Sequence, residues 1–327
     1  MSMILAGDLG GTSTRLGVFE PAAGRPRALA TRTLTTLAFD GLPSMIASFL
    51  KAESIAPATI AAVGVGVAGP VVGGAAQLTN VPWRIDAGQL AATFGFSHVA
   101  LLNDLQAMAY SVPVLADAEL HTLQEGEAVA AGTMALIAAG TGLGVSVLHD
   151  VDGRFVPSAS ESGHADYAAR TEQEVALLRD LTSRYGRAEV EHVISGHGLV
   201  NIHRVLHRAP CAAEIDLTAP GAPAAISNAA LERRCAGCGA TLAVFVEAYG
   251  AEAGNLALRS MATRGVYIGG GIAPKILPAL TTGAFMAAFL AKGPFRSLLA
   301  RIPVHVILNS EAGLLGAAVF AATGLEP

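Results

Sequence analysis

The chain has 327 residues, of which 52% are hydrophobic and 14% charged, with 21 basic against 26 acidic side chains and a formal net charge of −5. That length suffices for a large core and favours two domains, and an acidic balance leaves no basic footprint for nucleic acid. Three cysteines, an odd number, imply no disulfide framework and suit a reducing cytoplasm, so small-molecule chemistry is the default.

The chain opens on an apolar run at residues 3–6, which Asp8 interrupts before it can read as a secretory signal. GDLGGTST (residues 7–14) and a second apolar run at 16–19 follow, predicting strand, glycine turn and returning strand. Gly10 and Gly11 permit positive φ and close backbone approach. The N–H groups of such a turn, with the Thr12 and Ser13 hydroxyls, can hold phosphate oxygens while Asp8 holds a hydrated Mg²⁺. The segment equally reads as an ordinary hairpin with Asp8 as a turn residue. Residues 61–72 predict a buried strand. Gly64-Val65-Gly66-Val67-Ala68-Gly69 within it matches the dinucleotide fingerprint, but Pro70 and the valines after it continue an extended segment where the fingerprint must open a helix.

A predicted strand at 99–102 runs into Asn103 and Asp104 ahead of a helix at 105–110, which puts both residues at the carboxyl end of a strand, where α/β folds bind ligands. Asp104 is the acid/base candidate, and both residues are also favoured helix N-caps. Residues 128–148 carry no charge and are long enough to cross a bilayer. Gly132, Gly140, Gly142 and Gly144 divide them into strand, turn and strand, so no membrane span is expected. The turn Gly140-Thr141-Gly142 repeats the logic of the first. Glu161 and His164 follow in a loop, and Glu191 precedes the turn SGHG at 195–198; taken singly, each reads as a solvated polar residue. Helices are predicted at 172–185, 229–261 and 314–322, with a loop at 219–223. A strand at 266–268 leads into Gly269, Gly270 and Gly271, which reads as a flat surface suited to a base or ribose or equally as a packing turn, and then into a helix start at Pro274. Cys235 and Cys238 form a C-x-x-C inside the helical stretch without a second ligand pair, which reads as buried neighbours rather than zinc. Alternating strands and helices argue for an α/β architecture.

Taken in order, GDLGGT (7–12), LLND (101–104), AGTGLG (139–144), ESGH (161–164), EHVISGHGL (191–199) and GGGIAP (269–274) resemble the bacterial glucokinase family. NVPW at 80–83, residues 292–304 and EAGLLG at 311–316 extend the likeness over nearly the whole chain. The resemblance implies an actin-like, hexokinase-type (ribonuclease H-like) fold of two α/β domains, residues 1–110 plus 303–327 and residues 111–302, with the substrate cleft between them. It implies a cytoplasmic homodimer that phosphorylates D-glucose at its 6-hydroxyl with ATP and Mg²⁺, without nucleic-acid or membrane partners. Carried over by position, Asp104 is similar to the family's catalytic base, and Asn103, Glu161, His164 and Glu191 to its glucose ligands. Gly7, Asp8, Leu9, Gly10, Gly11, Thr12, Gly140, Thr141 and Gly142 would serve the ATP phosphates, with Asp8 reaching Mg²⁺ through water, and Gly269, Gly270 and Gly271 would border the adenosine. Ser13 stands where the family often has Asn, and His197 where Pro is common. The alternatives are a kinase for mannose, fructose or an N-acetylated sugar, or a non-catalytic regulatory relative. The related kinase-and-repressor group normally carries a cysteine-rich zinc site after its Gly-His motif; here Gly163-His164 runs into Ala165-Asp166-Tyr167, so none is expected there. A repressor would also need a DNA-binding segment ahead of a turn that begins at residue 7, so an enzyme is expected.

Overall fold

The structure, a computed structural model, describes residues 2–78, 81–158, 160–207 and 210–325, so Asn80 of the NVPW motif lies outside it. The chain divides into two compact units, Met1–Ala116 with Phe155–Ala159 and Asn309–Pro327, and Asp117–Arg154 with Ser160–Leu308.

In the first unit β1 (Met3–Leu9), β2 (Ser13–Glu20), β3 (Arg27–Thr35) and β4 (Ile60–Val67) are followed by the short β5 (Val71–Val72), β6 (Ala75–Gln77) and β7 (Arg84–Asp86), then β8 (Val99–Asn103). The main sheet has the order β3-β2-β1-β4-β8, and β1, β4 and β8 run parallel. Successive side chains of a strand point to opposite faces, and here both faces are covered. Leu5 and Leu9 of β1 and Val63, Val65 and Val67 of β4 pack with Met45, Ile46 and Phe49 of α1 (Leu42–Ala52). Ile4, Ala6 and Ala62 pack on the other face with Leu314, Ala317 and Ala321 of the C-terminal helix Ala312–Thr323. Two further helices are α2 (Ala87–Phe94) and α3 (Asp104–Ser111). The fingerprint-like glycines serve this packing. A Cβ on Gly64 would overlap the Ala317 carbonyl, and one on Gly66 would stand 2.8 Å from Ala107 Cβ and 3.6 Å from Asp104 Cα. Gly66 thus lets the start of α3 lie against β4. The expected single strand over 61–72 breaks at 68–70, and β5 joins β6 and β7 in a separate three-stranded sheet.

The second main sheet has the order β12-β11-β10-β13-β14-β9, built from β9 (Leu120–Gln124), β10 (Met134–Ala139), β11 (Leu143–Val151), β12 (Arg154–Ser158), β13 (Gly265–Gly269) and β14 (Val304–Ile307), all of them in the second unit except that Phe155–Ser158 of β12 count with the first. The uncharged stretch is the antiparallel hairpin of β10 and β11, and among the described residues no single helix is long and apolar enough to cross a membrane. β14 pairs with β13 and β9, so residues 303–308 belong to this sheet rather than to the small domain in which the expected boundary put them. The longer helices of the second unit are α4 (Glu172–Tyr185), α5 (Gly196–Leu206), α6 (Ala222–Leu231) and α7 (Ala236–Ser260), followed by three shorter ones at Leu277–Leu280, Ala284–Leu290 and Arg296–Leu299. The helix expected at 229–261 is two helices, because the chain turns sharply between them with Arg233 at φ +56°. Cys235 therefore caps α7 and Cys238 lies in its first turn. The middle of α7 packs Phe245, Tyr249 and Ala253 into a core with Ala135, Ile137 and Ile268 of the sheet.

Candidate active site

In the first unit the carboxyl ends of the parallel strands are aligned, Leu9 opposite Val67 and Val67 opposite Asn103. The turn after β1 is held from outside its own sequence. Gly10 N–H donates to Ser13 O at 3.2 Å, while the Thr36 hydroxyl donates to Gly10 O at 2.8 Å and Thr36 N–H to Thr12 O at 3.0 Å. Thr12 and Ser13 are left exposed, whereas Gly7 and Leu9 are buried within β1. Asp8 stands opposite Arg15 on β2, with Oδ2 3.5 Å from the guanidinium. Burial raises its pKa, and Arg15 partly offsets that. A single carboxylate at a strand end, beside an exposed glycine turn, fits a Mg²⁺ that keeps most of its waters.

Asn103, at the end of β8, is the N-cap of α3. Its Oδ1 accepts from Leu105 N–H at 2.9 Å and Gln106 N–H at 3.3 Å, and its Nδ2 donates to Gly69 O at 3.3 Å. Asp104 is the first residue of the helix, exposed, with Oδ1 accepting from Leu105 N–H at 2.8 Å. The N-cap position is thus Asn103, and Asp104 stands exposed in the first turn after it.

In the second unit three loops converge. Gly140 N–H donates to Gly142 O, and Gly196 N–H, at the start of α5, donates to Gly140 O, each at 2.8 Å. Leu143 N–H donates to Glu191 Oε2 at 2.8 Å, and a Cβ on Gly142 would stand 2.5 Å from that oxygen. Glu191 N–H donates to Gly163 O at 2.9 Å, and His164 N–H to Glu161 O at 3.0 Å. Glu161, His164 and Glu191 thus gather beside the Gly140 turn. Glu161 and His164 are exposed, but Glu191 is half-buried in a turn, not a helix charge facing solvent, because the backbone N–H of Leu143 claims its carboxylate.

Glu189 was not visible as a site residue from sequence, yet its Oε2 lies 2.7 Å from His164 Nδ1, and Arg187 in turn holds both Glu189 and the His164 carbonyl. The hydrogen bond to Glu189 raises the His164 pKa, with Glu191 and Glu161 adding to it. Pairing of this sign stabilises the fold below the unfolded value of 6.5 and is lost as pH rises through the raised folded value. Glu189→Gln accordingly lowers the His164 pKa, measured by NMR titration of the imidazole. An unmoved titration would show that the pair does not form in solution.

Gly140, Thr141 and Gly271 line one cavity of about 510 Å³, together with His197, Ser227 and Lys275. That volume is within the range of about 300–1,000 Å³ common for small-molecule sites. A Cβ on Gly140 or Gly271 would meet nothing within 4 Å, so both backbones are open to a ligand. Gly269 is buried, and Gly270, at φ +83°, folds against the Ala139 backbone, with Ile272 N–H donating to Ala139 O at 3.2 Å. The two glycine turns share one buried support. The Tyr249 hydroxyl accepts from Ala139 N–H at 3.2 Å and lies 3.2 Å from Ile137 O and 3.4 Å from Gly269 O. A lone tyrosine in an apolar helix is the only sequence signal for it.

A glucokinase family model matches residues 5–324. The glucokinase of Nostoc punctiforme is 39% identical, over 98% of this chain and 99% of that protein. The glucokinase of Cronobacter sakazakii is 34% identical, over 96% and 95%. Among solved structures, the glucokinase of an Antarctic psychrotroph matches with a TM-score of 0.85 at 28% identity, over 99% of both chains.

Proposed function

This chain belongs to the glucokinase family, enzymes that phosphorylate sugar, and we propose that it transfers the γ-phosphoryl group of ATP to the 6-hydroxyl of D-glucose with Asp104 as general base. The observation that carries this reading is an exposed carboxylate at the start of α3 whose capping duty is taken by Asn103. Phosphoryl transfer passes through a loose, charge-dispersed transition state, so the protein contributes mainly positioning and charge stabilisation. Asp104 accepts the proton of the 6-hydroxyl as its oxygen attacks in line. Asn103, Glu161, His164 and Glu191 bind the remaining hydroxyls, and a sugar lacking one leaves a polar group unpaired, which is a basis for rejection. The backbones of Gly10, Gly11 and Thr12 and of Gly140, Thr141 and Gly142 hold phosphates, and the cavity of about 510 Å³ takes the nucleoside against Gly271. Asp8 would hold a hydrated Mg²⁺, which would supply neutralising charge on the phosphates. The reading extends to domains of residues 1–110 plus 303–327 and 111–302 but for β14, and to a homodimer in the cytoplasm.

A coupled ADP-release assay over a hexose panel tests the substrate, with NMR of the product to locate the phosphate. Glucose is expected to give the highest kcat/KM and glucose 6-phosphate as product. Higher kcat/KM with mannose, fructose or N-acetylglucosamine, or phosphate on another hydroxyl, would overturn the glucose reading.

A further inference from the structure

The chain's three cysteines are spread over residues 211–238, yet they meet at one point in the second unit. Cys211 follows α5, Cys235 caps α7 and Cys238 lies in its first turn. Cys211 Sγ is 3.8 Å from Cys235 Sγ and 3.7 Å from Cys238 Sγ, and all three sulfurs lie within 4.8 Å of one another. His207, the C-cap of α5, brings Nε2 to 3.1 Å from Cys235 Sγ. The expectation of an isolated C-x-x-C therefore fails, because two further ligand types arrive from 24 to 28 residues away in sequence.

We propose that Cys211, Cys235, Cys238 and His207 form a structural Zn²⁺ site. Thiolates bound to zinc at about 2.3 Å in a tetrahedron hold their sulfurs about 3.8 Å apart, which is the spacing of Cys211 from Cys235 and from Cys238. The thiols are not bonded to one another: all three are free, with Cys235 and Cys238 buried and Cys211 half-buried. The surroundings are shaped for the imidazole. A Cβ on Gly237, inside the C-A-G-C turn, would overlap the His207 ring, so glycine leaves the space that the fourth ligand fills. Behind it, the His203 ring lies with its centroid 4.5 Å from that of His207, tilted by 31°, buried and with neither ring nitrogen hydrogen-bonded. Apolar residues close the rest of the site, with Ile226 and Ala229 of α6 packed against Cys235 and Cys238. Three thiolates and one imidazole make a closed four-ligand set with no open position, the pattern of a structural rather than a catalytic zinc. Binding displaces the thiol protons to solvent. The ion would join the end of α5 to the start of α7 and close the segment carrying α6, whose Pro223, Ala224 and Ser227 wall the 510 Å³ cavity.

The full-length chain, expressed with Zn²⁺ and purified under reducing conditions, tests this by elemental analysis and by Co²⁺ substitution. One equivalent of zinc is expected. Co²⁺ should give the intense visible bands of a tetrahedral site with thiolate charge transfer, and chelation should lower the melting temperature. Cys211→Ser, in a loop and so the variant best placed to fold, should drop bound zinc below a tenth of an equivalent, with Cys238→Ser as a second case and circular dichroism as the check on folding. His207→Ala should shift the cobalt spectrum as the nitrogen ligand is replaced. Less than a tenth of an equivalent in the wild-type chain would overturn the proposal. So would thiols that react equally fast with and without Zn²⁺, a disulfide among them, or full zinc retained in folded Cys211→Ser and Cys238→Ser proteins.

Discussion

Asp104→Asn lowers kcat by about 10²- to 10⁴-fold, the usual cost of losing a general base, while glucose binding and thermal stability stay close to those of the parent. The asymmetry follows from the local structure. The amide oxygen still accepts from Leu105 N–H, Asn103 still caps α3, and the side chain is exposed, so the start of the helix keeps its caps. What the amide cannot do is take a proton from the attacking hydroxyl. Steady-state turnover measured beside calorimetric glucose binding separates the two effects. A variant that keeps more than a tenth of parental kcat would reduce Asp104 to a helix-start residue and remove it from the mechanism.

Glu191→Gln and Gly142→Ala should each raise the KM for glucose, by about 10- to 100-fold for a lost charge-assisted hydrogen bond worth roughly 1–3 kcal/mol, with a smaller effect on the KM for ATP in Glu191→Gln and a rise in both in Gly142→Ala, whose turn also holds phosphate. The two reach the same group from opposite sides. In Glu191→Gln the amide oxygen can stay on Leu143 N–H, which leaves a neutral NH₂ where the sugar meets a carboxylate oxygen. In Gly142→Ala the new methyl would stand 2.5 Å from Glu191 Oε2 and must push the carboxylate off its N–H partner. Sugar kinetics unchanged in both variants would take Glu191 out of the glucose site.

The strands and turns bearing the candidate groups were legible because local pattern fixes them. Unbroken apolar runs flanking glycine turns gave β1 with β2 and β10 with β11. α4 was bounded at Glu172–Tyr185 as expected, since the Thr171 hydroxyl accepts from Glu174 N–H at its start and Gly186 takes a left-handed φ of +82° at its end. β3 was missed because most of its residues are exposed, so the period-2 burial that marks a strand is absent. The long helix expected at 229–261 was misread because its composition hides a break that one positive-φ arginine makes.

By itself the sequence determined the ordered motifs, and with them the family, the α/β alternation and the candidates Asp104, Glu161, His164 and Glu191. Each of these rests on residues within a few positions of one another, where strand period, capping and turn chemistry act directly. Tertiary structure alone decided that Gly64 and Gly66 seat helices and that Glu191 is held by Leu143 N–H. It also decided that Tyr249 braces two glycine turns and that His207 and Cys211 meet the C-x-x-C. These contacts join atoms from about 20 to more than 200 positions apart, and they form because α7 and the C-terminal helix bury apolar faces against their sheets. The driving force is area removed from water, summed over a whole face, and no local run of residues encodes where that face will come to rest.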